Sequence, residues 1–192
     1  MPMKALSLKN RQTLIFFAFF AFFAFFVSNA NAAPFHLTLV KDAAAKKQVI
    51  EAANKVVDSS AEVEEGQIVL LERDNLPQRY LVPIKVNGGS HRGCYVVEVN
   101  GKTFQATSIL LAGIEELESC EIISSVFACN RPTLSGVIIL YAKRLGFDHY
   151  SFEGTFLEVR GNNAIREIQQ FSNRLSGIEK ASIARKTLGC KR

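Results

Sequence analysis

The sequence has no C-x-x-C pair, and its three histidines, His36, His91 and His149, stand far apart. Tetrahedral metal centres draw on closely spaced cysteine or histidine pairs, so the pattern argues against zinc and gives no cofactor to expect. No internal repeat and no low-complexity linker occurs, which argues for one folded domain. No Asn-x-Ser/Thr sequon is present, in keeping with a bacterial periplasm. A bilayer span is also missing: the apolar block Leu14 to Val27 has 14 residues, short of the roughly 20 that a helix needs to cross.

What that block does fit is a leader. Lys4, Lys9 and Arg11 precede it, and Ser28, Asn29, Ala30, Asn31, Ala32 and Ala33 follow. A positive start, an apolar centre and a small-residue end form the three-part order of a cleavable secretory signal peptide. Ala30 and Ala32 suit the minus-three and minus-one places, so 1–32 is expected to be removed and 33–192 to form a single α+β domain. No cysteine lies near the cut, which excludes lipoprotein processing. The expected location is periplasmic or extracellular, with no stable transmembrane segment after cleavage.

Subtracting the leader changes the composition. Eight of the fifteen phenylalanines go with it, and the net charge falls from +5 to +2. That weakens a nucleic-acid reading, and no nucleic-acid partner is expected. The remaining charge is split: 33–159 holds 12 basic and 16 acidic residues, whereas 160–192 holds 8 and 2. A basic helical tail is expected at the C-terminus. Within it, Arg160, Arg166, Arg174, Arg185 and Lys186 are the candidate contacts for an anionic partner, either another protein or the envelope surface.

All four cysteines, Cys94, Cys120, Cys129 and Cys190, lie in the mature part. An even number in an exported chain reads as two disulfides. If Cys120 to Cys129 is one extended strand, its ends stand about 30 Å apart, which forbids a bond between them. Each then pairs with Cys94 or Cys190, and spacing leaves open which. A bond to Cys190 pins the basic tail to the body.

Along the mature chain, Asp42 reads as the N-cap of a helix over Asp42 to Asp58, with Val49, Ala52, Ala53, Val56 and Val57 on one face,. Strands are predicted at Gln67 to Glu72 and Tyr80 to Val86, with Pro83 marking an edge or a bulge. Asn100-Gly101 predicts a two-residue type I′ hairpin that sets Val97 opposite Phe104 and Tyr95 opposite Ala106. Ser108 to Leu117 and Thr133 to Leu145 fit helices, the second ending at Gly146 and Phe147. Cys120 to Cys129 and Tyr150 to Val159 read as strands. A helix starting at Asn162 or Asn163 would carry Ile165, Ile168, Phe171 and Leu175, and a further short helix can follow Gly177. The expected fold is an N-terminal helix packed on an antiparallel β-meander, then mixed helices and strands, stabilised by disulfides.

The order from Asp42 to Thr107 is similar to small inhibitory modules of the cystatin-like and PepSY kinds, whose helix packs across an antiparallel sheet. The Gln-x-Val-x-Gly loop expected of cystatins is absent, so the resemblance implies a layout and carries over no site residue.

One reactive-looking cluster remains. Cys94 and His91 sit in Gly88-Gly89-Ser90-His91-Arg92-Gly93-Cys94, where a thiolate beside an imidazole could act as a nucleophile. A disulfide at Cys94 removes that reading. The acidic group Glu115, Glu116, Glu118 and Glu121 reads as a solvated face, and Gly161-Asn162-Asn163 as a helix start. The leading expectation is a small exported binding protein of the inhibitor, immunity or envelope-accessory type. The alternatives are an extracytoplasmic thiol enzyme using Cys94 and His91, and a carrier of a small apolar ligand between helix and sheet.

Overall fold

The computed structural model describes residues 35–57, 61–74, 76–113, 118–132, 134–146, 149–160 and 165–191. Strand β1 (His36–Leu39) leads into helix α1 (Ala43–Ala53). The Asp42 carboxylate accepts from the Ala45 N–H at 2.7 Å, which satisfies one of the amides that a helix start leaves unpaired. Five more strands follow: β2 (Ala61–Val63), β3 (Val69–Glu72), β4 (Arg79–Val86), β5 (Gly93–Asn100) and β6 (Ala106–Gly113). With β1 they form a six-stranded antiparallel sheet in the order β1-β3-β4-β5-β6, β2 pairing with β4.

The second half supplies β7 (Glu118–Asn130), β8 (Ser135–Leu145), β9 (His149–Val159) and the short β10 (Ile165–Glu167). They make a four-stranded antiparallel sheet in the order β10-β9-β8-β7. Helix α2 (Gln169–Ser172), a 3₁₀ turn (Asn173–Leu175) and helix α3 (Ala181–Leu188) complete the chain. The described molecule is therefore mostly antiparallel sheet with few helices, and residues 32–192 form one compact unit.

Three apolar clusters explain the layering. Val69, Leu81, Cys94, Val96 and Leu111 of the first sheet meet Cys120, Ile123, Val137, Ile139, Tyr141 and Leu157 of the second. The other face of the first sheet, with Val82, Ile84, Val97 and Val99, takes Val49, Ala52 and Ala53 of α1. The other face of the second sheet, with Phe127, Ile138, Leu140 and Phe156, takes Leu175, Ala184 and Leu188. Each sheet thus buries one face against its neighbour and the other under helix.

That double burial corrects several sequence expectations. Residues 135–145 are strand β8, not helix. Val137, Ile139 and Tyr141 point to one core while Ile138 and Leu140 point to another, so every position is apolar and the period-2 signal disappears. Ser108 to Leu117 is likewise no helix as far as it is described: β6 runs through Gly113, and 114–117 lie outside the described residues. The helix expected from Asn162 or Asn163 is replaced by β10 and the short α2, since Ile165 and Glu167 pair with β9. Gly161-Asn162-Asn163 itself lies outside the described residues, as do Glu115 and Glu116.

The hairpin at Asn100 is wider than the two-residue turn predicted. Val99 pairs with Ala106 and Tyr95 with Leu110, leaving Gly101 to Gln105 as the loop. The Asn100 carboxamide accepts from the N–H groups of Lys102 and Thr103 at 2.9 and 3.0 Å, and Phe104 takes the positive φ of 53°. Gly101 serves for close approach: a Cβ there would stand 2.9 Å from the Gln78 carbonyl oxygen. Pro83 is neither at an edge nor at a bulge. It sits where the neighbour of β4 changes from β3 to β2, and its carbonyl accepts from Glu64 N–H at 2.9 Å. Its missing N–H falls in that gap, so no ladder bond is lost.

Gly136 in β8 is pressed against β9, where a Cβ would meet the Phe156 ring and stand 2.6 Å from the Leu157 carbonyl oxygen. A ladder carbonyl cannot swing aside, so Gly136→Ala is expected to destabilise by about 1–3 kcal/mol, measured by urea unfolding.

Candidate functional site

The sulfur chemistry is fully committed among the described residues. Cys94 of β5 bonds Cys120 of β7, bracing one sheet to the other, and Cys129 of β7 bonds Cys190 beyond α3. Cys94 is fully buried. No thiolate is left for the Cys94–His91 nucleophile reading, which is corrected on that ground. His91 is exposed, with a ring nitrogen 2.9 Å from the Ser90 hydroxyl. Beside it, a hollow of about 390 Å³ at the end of α1 is lined by Lys55, Val56, Val57, Val86, Tyr95 and Ser108.

The predicted basic residues divide into two groups. Arg160 and Arg166 share the Glu158 carboxylate, at 2.9 and 3.3 Å, which leaves the trio with one net positive charge. Arg174 donates to the Thr187 carbonyl. Arg185 donates to the Ala128 carbonyl at 2.9 Å and stacks over the Phe127 ring, its guanidinium carbon 4.5 Å from the centroid. These two arginines tie α3 and the 3₁₀ turn to the body. Lys186 is exposed and forms no ion pair among the described residues.

Sequence spacing missed Lys180 and Lys191, which are exposed in the same state. Lys180 is the N-cap residue of α3, and Ile183 and Lys186 follow at three-residue steps on its outward side. Ile183 is 50% exposed between the two lysines. The helix is held by buried Ala184 and Leu188, by the left-handed Gly189 at its C-cap, and by the Cys129–Cys190 bond. Lysines on a stapled helix are presented in fixed positions, which a loose tail would not do.

A second feature escaped the sequence entirely. At the β9 margin a polar cleft of about 270 Å³ is lined by Tyr141, Glu153, Thr155, Glu167, Gln169 and Ser172, among others. The Tyr141 hydroxyl donates to the Leu111 carbonyl at 3.3 Å and lies 3.5 Å from the Thr155 hydroxyl. Burial pushes the Tyr141 phenol up to about 12; the Thr155 hydrogen bond opposes this, and the Glu153 and Glu167 carboxylates add to it. The phenol therefore stays protonated and serves as a hydrogen-bond donor between the sheets. Reading 133–145 as a helix had aligned Tyr141 with Leu134 and Ile138, which hid it from this face.

Among the described residues no group of three or more histidine, cysteine or acidic side chains is placed to hold a metal ion. No described helix is long and apolar enough to cross a membrane. No family model, no curated protein and no solved structure matches the chain.

Proposed function

We propose that this chain is an exported binding protein whose α3 surface docks an acidic protein partner outside the cytoplasm. The observation that carries the reading is the stapled basic helix: Lys180 and Lys186 flank half-exposed Ile183, Lys191 follows the disulfide that holds the helix, and none of the three forms an ion pair among the described residues. The leader-like start and two disulfides support an oxidising compartment,. A protein partner is favoured over a bare membrane by magnitude. Three lysines near an anionic bilayer contribute about 3 kcal/mol in total, which corresponds to affinity no better than millimolar. One exposed isoleucine adds little to that. A folded acidic partner can add shape complementarity and a fitted contact for Ile183.

The test is affinity capture from envelope extract with the native chain and with the triple variant K180E/K186E/K191E. The expected result is a protein partner retained at low salt by the native chain and reduced at least tenfold by the variant. Equal capture by both would overturn the reading. So would binding confined to vesicles of anionic phospholipid.

A further inference from the structure

We infer that the polar cleft at the β9 margin binds a small ammonium compound that carries an amide group. The inference starts from a gap in the cover of the β9 edge. β9 pairs with β8 in unbroken register, so the backbone groups that point away from β8 fall on alternate residues. Phe156 is one of these: its carbonyl accepts from the Ile168 N–H and its N–H donates to the Ser172 hydroxyl, both at 3.0 Å. On the same side the Phe152 carbonyl accepts from the Gly177 N–H at 2.7 Å. Gly154 lies midway between the two and therefore turns its own N–H and C=O away from β8. No hydrogen bond meets either group among the described residues, although Gly154 is buried. Buried backbone groups are rarely left without a partner, and Gly154 lines the cleft.

The chemistry around that gap has one sign. Apart from Leu111 and Gly154, every residue lining the cleft carries a polar side chain, and none carries a positive charge. Glu153 and Glu167 both belong to the lining. Burial raises the Tyr141 phenol and both carboxylates raise it further, which sets them near that hydroxyl. Lys143 reaches Glu153 at 3.4 Å from outside the lining and is shared with Glu118 at 3.9 Å. Glu167 forms no ion pair among the described residues. Thr155 is 2% exposed, and among the described residues its hydroxyl meets only that of Tyr141, at 3.5 Å. So long a contact leaves the threonine oxygen open to a further donor.

These groups select a ligand by what they reject. Two carboxylates repel an anion, and a polar lining is costly to cover with an apolar molecule. A bare calcium ion takes about six to eight oxygens at about 2.3–2.6 Å. A cleft of about 270 Å³ is too wide to close around one, having room for about nine waters at roughly 30 Å³ each. The occupant that fits is a molecule of about that many non-hydrogen atoms. Its ammonium group meets Glu153 and Glu167 in charge-assisted hydrogen bonds, and the C=O and N–H of its amide pair with the N–H and C=O of Gly154.

Titration followed by amide NMR tests this on the chain expressed from its full sequence in an exporting host, with N-acetylputrescine as the probe. That molecule joins one ammonium group to one secondary amide. Its neutral analogue, with a hydroxyl in place of the ammonium, and calcium chloride are titrated beside it. The expected result is saturable binding of N-acetylputrescine, roughly tenfold tighter than its analogue, with the shifted amides centred on Gly154 and Glu167. Glu167→Gln should weaken it roughly tenfold, the worth of one charge-assisted hydrogen bond. Glu153→Gln is the second variant and keeps the test valid if the first misfolds. No saturable binding of N-acetylputrescine, equal affinity for the neutral analogue, an affinity unchanged by both substitutions, or binding of calcium alone would overturn the inference.

Discussion

Replacing Cys129 and Cys190 by alanine is expected to lower stability by about 4 kcal/mol, and replacing Cys94 and Cys120 by about 3.5 kcal/mol, from loop-closure entropy alone. The ranking follows from sequence separations of 61 and 26 residues. Packing works in the opposite direction. Both sulfurs of the Cys94–Cys120 pair are fully buried between the sheets, so alanine there also leaves a void; Cys190 is partly exposed. A sulfur-sized gap adds about 1 kcal/mol, which brings the two losses level. Urea unfolding of each double-alanine variant under oxidising conditions measures both. Mild reductant separates the bonds by access: the Cys129–Cys190 pair should open first, followed by mass spectrometry after alkylation. Loss of that bond should also release α3, so partner capture should fall even while the sheets stay folded. A variant lacking Cys94–Cys120 that melts like the native chain would contradict the bracing role.

Raising the pH from 10 to 12 is expected to remove about 2 kcal/mol of stability that Tyr141→Phe does not lose, the larger part of what a full two-unit shift is worth. The sign follows from the raised phenol. An unfolded tyrosine ionises near 10, whereas Tyr141 in the folded chain resists until about 12 because burial penalises the phenolate. Its contribution is complete below pH 10 and is lost as pH climbs through the folded value. Near neutral pH the phenylalanine variant should be only about 1 kcal/mol less stable, the net worth of the hydrogen bond to the Leu111 carbonyl,. Comparing the native chain with the phenylalanine variant isolates this one phenol. The quantity to measure is therefore the difference between native and variant denaturation midpoints from pH 8 to 12. A constant difference across that interval would place the phenol in water.

In α1 and β4, polar residues alternate with apolar ones at the period of the element, and the sequence made both visible. The Asp42 cap and the Val49, Ala52 and Ala53 stripe mark α1, which ends at Ala53, ahead of the 42–58 reading. The alternation around Tyr80 to Val86 marks β4, and the alkaline end of the chain does form a helix after Gly177. Where both faces are buried, the pattern gave the wrong period. The run Val137 to Tyr141 is apolar at every position, and its β-branched Val137, Ile138 and Ile139 were the better signal,. At Asn100-Gly101 the turn dipeptide pointed to the right place and the wrong loop, because the Asn100 side chain captures two amides and lengthens it.

By itself the sequence determined the number of disulfides and the split between an acidic body and a basic tail, and it excluded a Cys120–Cys129 bond on the condition, met by β7, that 120–129 runs extended. Those follow from composition and from the reach of an extended strand, both local quantities. Tertiary structure alone decided the actual pairing, since β5 lies against β7 across the inter-sheet core and α3 returns to the far end of β7. It also decided which cations are spent. Arg160 and Arg166 share Glu158, and Arg185 finds a carbonyl and a ring from a strand 57 residues away, while Lys180, Lys186 and Lys191 form no ion pair among the described residues. Partner choice at these positions depends on long-range packing, which no window of sequence contains.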